Sequence, residues 1–285
     1  MGYYRKEWTE ELVEARLREG RGTGTGKDYR PLLEIHDVPS NGLVRRVLGL
    51  HTGRDHHLLS NNEFNFFLIL DWLPDVIDIQ EQFPLDRDLT QEVAIDLGIK
   101  HPYYPRTDVP IIMSVDFLVT RLKNGQHVTE AYDVKGSDGV DDSGRTVDKL
   151  EIARTAMELV GVPHDLVFNT KLPKAKVENL EWIRGGNLVD GPDENEPYTG
   201  FYDEHCALMA LDLESQRQDL TLTEYCRRYD ARAGVRQGVA LAVAKRLMQR
   251  RVLIPTLGQG HLADQRLSTF ALSAPKGQLR SVGGA

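Results

Sequence analysis

The 285-residue chain carries 35 Lys/Arg against 43 Asp/Glu, a net charge of -8, with 40% hydrophobic and 27% charged residues. That balance is ordinary for a globular protein long enough for one or two full cores, and two domains are expected. It argues against a protein that grips nucleic acid by charge alone, so any DNA it acts on is expected to be presented by partners.

No apolar run approaches the ~18 residues of a membrane span, and the segment MGYYRKEWTEEL lacks a signal-peptide core, so a cytoplasmic protein with no membrane partner is expected. Cys206 and Cys226 form no Cys-x-x-Cys pair, which leaves two isolated thiols rather than a disulfide framework or a thiolate zinc site. His56-His57 resembles a ligand pair, but adjacent residues on a regular element point apart and no third ligand is suitably spaced.

In chain order, a short helix is predicted over Trp8 to Arg18, followed by the flexible glycine-rich loop GRGTGTGKDY. This is not a P-loop, because Gly26-Lys27 is followed by Asp28 instead of the Ser or Thr that would reach Mg²⁺. Ser60-Asn61-Asn62-Glu63 ahead of FNFFLILDWL has the pattern of a capping box that opens an apolar helix ending before Pro74; Glu63 can bond back to the Ser60 amide. VIDIQEQFPL alternates like a strand, and Leu89 to Pro110 reads as a long surface excursion.

Two strand-like runs follow, IIMSVDFLV and TEAYDVK, around Asn124-Gly125. Asn-Gly between such runs signals a two-residue type I′ hairpin. Paired residues then have numbers summing to 249, so Asp116 lies opposite Asp133 and Ser114 opposite Lys135. Side chains alternate faces along a strand, so one face holds two carboxylates and an ammonium. Like charges directly opposite destabilise a sheet by roughly 0.2–1 kcal/mol, and more when the strand is buried among Ile111, Val115, Phe117 and Val119. A hard divalent cation would resolve the conflict; neutralisation by Lys135, or a different register, is the alternative.

GSDGVDDSG then links to VDKLEIARTAMELVGV, a helix with Leu150, Ala153, Met157 and Val160 toward a core, and HDLVFNT reads as a buried strand. This is a mixed α/β order with a sheet covered on both faces. Residues 185–200, polar and Gly/Pro-rich, mark a boundary. Beyond it FYDEHCALMALDLES, TLTEYCRRYDARAG and VRQGVALAVAKRLMQR form three helical patterns, and VLIPTLGQGHLADQRLSTFAL two short strands, a winged-helix order. Arg246, Arg250 and Arg251, at the end of the third helix, either touch phosphates or form a solvated face. The expected organisation is a mixed α/β domain with an N-terminal extension over 1–188, a mainly helical winged-helix domain over 200–273 and a disordered tail over 274–285.

The segments EGRGTGTGKDYRPLL, GLHTGRDHHLLSNNEFNFFLILDW, QEQFPL, SVDFLV, DVK and NLEWIRG, in that order through residues 19–185, resemble the TnsA family, the endonuclease subunit of heteromeric transposases from bacterial cut-and-paste transposons. The resemblance implies a restriction-endonuclease-like mixed-sheet core followed by a winged helix, and Mg²⁺-dependent hydrolysis (Mn²⁺ able to substitute) of the 5′-side phosphodiester at transposon ends. It implies DNA, a TnsB-type transposase and, through the C-terminal part, a TnsC-type AAA+ ATPase as partners, and a bacterial protein associated with the nucleoid when active. The catalytic set falls on Glu63, Asp116 and Lys135, with Glu63, Asp116, Asp133 and the carbonyl of Val134 as metal ligands. Where this family usually has Gln two residues before the lysine, this chain has Asp133, whose extra charge is expected to tighten metal binding. Arg54, Lys149 and Arg250 are candidate DNA contacts, with surface salt bridges as the other reading. A stand-alone restriction-like or junction nuclease and a non-catalytic docking module that recruits the ATPase are the rival functions.

Overall fold

A computed structural model describes residues 8–37, 44–136, 144–185, 196–215 and 219–273. The tail at 274–285 and most of the segments 136–144 and 185–200 lie outside the described residues. The chain divides into two compact units, Met1–Leu172 and Pro173–Ala285.

In the first unit, Thr9 caps α1 (Glu10–Arg18) by accepting from the Leu12 amide. The glycine-rich segment is held rather than flexible. Its Gly26 amide donates to Asp78, the Gln80 side chain donates to the Gly24 carbonyl, and Thr23 bridges Arg30. Gly24 has φ +91°, and a Cβ there would lie 2.4 Å from the Asp28 carbonyl oxygen, so the tight packing accounts for that glycine without any phosphate. A small hairpin that the sequence did not signal, β1 (Arg45–Leu48) and β2 (Asp55–Leu58), leads into α2 (Asn61–Trp72).

The core sheet has four strands in the order β3 (Val76–Pro84), β4 (Ser114–Lys123), β5 (Gln126–Lys135), β6 (His164–Phe168). The first three are antiparallel and β6 is parallel to β5. The β4–β5 register runs from Lys123↔Gln126 to Phe117↔Tyr132, the expected sum of 249, around a turn with φ +51° at Asn124 and +78° at Gly125, both positive as a type I′ turn requires. α2 packs on one face, where Phe66 meets Phe117 and Tyr132 edge-on. α3 (Arg87–Asp96) and α4 (Arg145–Leu159) supply Val93, Ala94, Ile152, Ala153, Ala156 and Met157 to a core with Leu118 and Ala131.

Three further expectations for this unit are corrected. Part of the surface excursion is α3, because Asp86 caps the Leu89 amide and Val93 and Ala94 are buried. Along α4, Ile152 and Ala156 are buried in place of Leu150, which lines a cavity, and Val160, which is 59% exposed past the helix end. β6 is an edge strand and so is not buried; its Leu166 is exposed.

In the second unit, α5 (Lys174–Arg184), α6 (Phe201–Ser215), α7 (Leu222–Ala233) and α8 (Val239–Gln249) precede a short antiparallel pair, β7 (Leu253–Ile254) and β8 (Ala271–Leu272). α7 opens with a full capping box, Thr221 and Glu224. α5 belongs to this unit because Asn179 bonds the Leu257 and Gly260 carbonyls and Gln249 donates to the Ile183 carbonyl. The division therefore falls at 172/173, well before the glycine- and proline-rich stretch. Cys206 and Cys226 are both buried and free. No described helix is long and apolar enough to cross a membrane.

Candidate active site

The site forms where β4 and β5 separate. Beyond Phe117↔Tyr132 the ladder stops, and the Val134 amide donates to Asp116 Oδ2 at 2.7 Å. In an extended strand the N–H and C=O of one residue face the same neighbour, so the Val134 carbonyl is on the Asp116 side as well. Lys135 Nζ sits between the two aspartates, 3.2 Å from Asp116 Oδ2 and 3.6 Å from Asp133 Oδ1. The shared face expected from the hairpin is therefore present. Ser114 does not meet Lys135; its hydroxyl donates to Gln82 Oε1 at 3.3 Å.

Glu63 arrives from the first turn of α2. Its Oε2 accepts from the Leu59 amide at 2.9 Å and its Oε1 from the Ser60 hydroxyl at 2.8 Å, while Ser60 Oγ caps the Glu63 amide. The carboxylate thus reaches back past the Ser60 amide to Leu59, which leaves it facing the sheet. Gln82 Nε2 lies between it and Asp116, 3.4 Å from Glu63 Oε2 and 3.5 Å from Asp116 Oδ1. Gln82 is buried with φ +49°, a conformation L-residues rarely adopt; strain of this kind persists where surrounding structure demands it.

Burial, then the Asp116 charge, raise the Glu63 carboxyl to about 7 from its usual 4.5. Asp116 is raised by burial and by Asp133, against the opposing pull of Lys135 and the Val134 amide. Burial disfavours the charged form of Lys135, but Asp116 and Asp133 outweigh it and raise its pKa. A group bound to its proton more tightly in the folded state stabilises the fold below its unfolded pKa and loses that contribution as pH rises through the folded one. Metal-free protein is therefore expected to lose stability from about pH 4.5 to 7, and Glu63→Gln to flatten that decline in denaturant titrations; an unchanged slope would place the raised group elsewhere.

His164, which the sequence did not single out, starts β6 and holds Asp133 Oδ2 through Nε2 at 2.8 Å. Only the parallel β5–β6 pairing, Ala131↔His164 onward, brings it there. A cavity of about 280 Å³ opens on Asp116, Asp133 and Lys135, with Lys149 and Leu150 of α4 on its wall. Among the described residues no three His, Cys, Asp or Glu side chains already converge as metal ligands. The oxygen donors nonetheless have the chemistry that suits a hard divalent ion, and the repulsion between Glu63, Asp116 and Asp133 is what such an ion would relieve.

Arg54 is not a DNA contact. It is buried, and its guanidinium donates to Glu81 Oε1 (2.8 Å) and Oε2 (2.5 Å) and to the Gly26, Asp55 and Ile79 carbonyls. Those five bonds use all five donors. His56 joins the same carboxylate at 2.7 Å, which makes it a packing group and not half of a ligand pair. Burial alone would raise Glu81, but Arg54 and His56 bring it down to about 2. Arg250 lies in the second unit and pairs with Asp203 at 2.5 Å.

A carboxylate and a lysine on adjacent central strands, with a second carboxylate delivered by a flanking helix, define an endonuclease-like mixed α/β protein. Residues 73–169 match the family described as TnsA-like endonuclease N terminal, and 172–254 the one described as TnsA endonuclease C terminal. The chain is 41% identical over 176 residues to the Transposon Tn7 transposition protein TnsA of Escherichia coli, an alignment that covers 62% of this chain and 63% of that protein. The chain belongs to the TnsA family. Asp116, Asp133 and Lys135 fall inside the first matched segment, whereas Glu63 precedes it and is brought to the site by the start of α2.

Proposed function

We propose that this chain is the Mg²⁺-dependent endonuclease subunit of a transposase, which hydrolyses the 5′-side phosphodiester at transposon ends alongside a TnsB-type transposase and a TnsC-type ATPase. The observation that carries this reading is Lys135 Nζ seated between Asp116 and Asp133 at the mouth of a cavity, in a chain of the TnsA family. Glu63, Asp116, Asp133 and the Val134 carbonyl would hold the metal, which when bound polarises a phosphoryl oxygen and acidifies a coordinated water.

The protein groups have separable tasks. Lys135 keeps its charge through Asp116 and Asp133, so it suits stabilisation of negative charge on the reacting phosphoryl group rather than proton abstraction. His164 fixes one oxygen of Asp133 and leaves the other toward the site, the outer-shell arrangement that orients metal ligands. Asp133→Gln is expected to weaken metal binding.

In the second unit, three helices and a short antiparallel pair support the winged-helix reading of 200–273. The intact Glu63, Asp116 and Lys135 set counts against a non-catalytic docking module. A bacterial cytoplasmic protein, at the nucleoid when active, follows from the same reading.

The test is Mn²⁺ binding, followed by electron paramagnetic resonance, to the wild type and to Asp116→Asn without DNA. Saturable binding that the substitution abolishes supports the site; binding that Asp116→Asn leaves unchanged would move the metal elsewhere and overturn the assignment.

A further inference from the structure

A second, larger cleft of about 850 Å³ adjoins the catalytic cavity. Its walls come from the irregular segment 100–108 after α3 and from the first turns of α4. Lys100, Arg106, Arg145 and Lys149 bring four cations to it, against the two carboxylates of Asp108 and Asp148. Tyr104 and Lys149 line both this cleft and the cavity that holds Asp116 and Lys135, so the two hollows share a wall.

Charge elsewhere in the first unit is distributed differently. Arg16 and Arg21 pair with Asp37, Arg46 with Asp55, Arg54 with Glu81, Arg87 with Glu10, Arg121 with Asp75 and Arg154 with Glu151. Among the described residues the four cations of the cleft have no carboxylate within ion-pair distance, and neither do Lys27 and Lys171 elsewhere on the unit. Lys149 is pushed down by burial and by the like charges of Arg145 and Lys135, so the cluster carries internal repulsion that an anion would relieve. α4 also enters this wall by its N-terminus, where Gly144 supplies no side-chain acceptor for the first N–H groups, and that end of a helix favours negative charge.

The geometry points to this cleft as the seat of the DNA phosphates that flank the one being cut, with Lys149 at the junction and Arg145 and Arg106 farther along the strand. This rests on the endonuclease reading and adds to it the path of the substrate. The occupant is a polyanion rather than a single small acid. The cleft is far larger than one phosphate needs, its cations are spread over two chain segments, and it leads to the group that would receive a phosphodiester. It also explains how a chain of net charge -8 can hold DNA: neutralised surface elsewhere leaves a short basic track beside the active site.

The experiment is fluorescence-anisotropy binding of the full chain to a fluorescein-labelled duplex in Ca²⁺, which suppresses cleavage, across a salt series. Three proteins are compared: wild type, Arg106→Ala/Arg145→Ala, and the control Lys27→Ala/Lys171→Ala. The slope of log K against log salt scales with the number of phosphates the protein neutralises, at about 0.9 for each. The expected result is a slope shallower by about 0.9 for every phosphate left unneutralised, in the cleft variant alone, with Mn²⁺ binding and thermal melting unchanged. An unaltered slope in the cleft variant, or equally shallow slopes in both variants, overturns the proposal while wild-type binding leaves the endonuclease reading standing. A wild type that binds no duplex by itself also overturns the proposal, and leaves the endonuclease reading to the Mn²⁺-binding test at Asp116.

Discussion

Under the proposed function, Lys135→Ala is expected to reduce cleavage of transposon-end DNA by at least 10²–10³-fold, the usual cost of removing one preorganised group that stabilises transition-state charge. Lys135 is the cation seated between Asp116 and Asp133, at 3.2 and 3.6 Å, and both aspartates hold it charged. No other described lysine or arginine lies within ion-pair distance of either carboxylate. Without it the metal-free site holds three carboxylates in one neighbourhood, so the variant should lose stability in chelator and regain it when Mg²⁺ is added. Cleavage should be measured in a complex assembled with the proposed TnsB-type transposase and TnsC-type ATPase, and Mn²⁺ affinity on the isolated chain. The expected pattern is abolished cleavage with metal binding retained. Cleavage at the wild-type rate would remove Lys135 from the chemistry and leave it as a structural counter-ion.

The second large effect concerns stability. Arg54→Ala is expected to destabilise the first unit by about 3–5 kcal/mol, the range for a buried ion pair deprived of one partner. Glu81 is fully buried, and Arg54 supplies two of its hydrogen bonds while also tying down the Gly26, Asp55 and Ile79 carbonyls. Its removal would leave the buried carboxylate with only His56 and the His57 amide, and would remove one of the ties between the glycine-rich segment and β3. Arg54→Lys keeps the charge but not the five-donor fork, so an intermediate loss is expected. A folded carboxyl held at about 2 contributes stability that is present above its unfolded pKa, near 4.5, and is lost as pH falls through the folded value. The wild type should therefore gain more from the Arg54–Glu81 pair at pH 6 than at pH 2, and the gap between wild type and Arg54→Ala in urea titrations should narrow on acidification. Equal midpoints at pH 6 would show that the knot does not hold this unit together.

How much of the site was legible in sequence depended on how local each interaction is. Asn124-Gly125 specified its own turn, and the two-residue period of strands then carried Asp116, Asp133 and Lys135 to one face. Ser60 and Glu63 announced the start of α2, while the direction of the Glu63 carboxylate was ambiguous because cap and site use the same atoms. His164 and Gln82 gave no signal. One reaches Asp133 by a parallel pairing across 31 residues, and the other meets Glu63 and Asp116 from a strand position with φ +49°, which sequence patterning does not announce.

Arg54 illustrates the opposite error. An arginine beside histidines in a loop-like segment resembles a phosphate contact, and nothing nearby in sequence reveals the carboxylate 27 positions on that claims it. Lys149 carried the same ambiguity, and the structure places it on the wall of the cavity.

By itself the sequence determined the elements that carry the site, the hairpin register and the presence of one acid-and-lysine face, but not β1, β2, α3 or α5, because only the former follow from turn chemistry and side-chain period within a few residues. Only the tertiary structure decided which charges are spent inside the fold and which remain for a ligand. That outcome depends on burial and on partners far apart in the chain, since an isolated buried charge is too costly to persist and each one must find its counterpart in space.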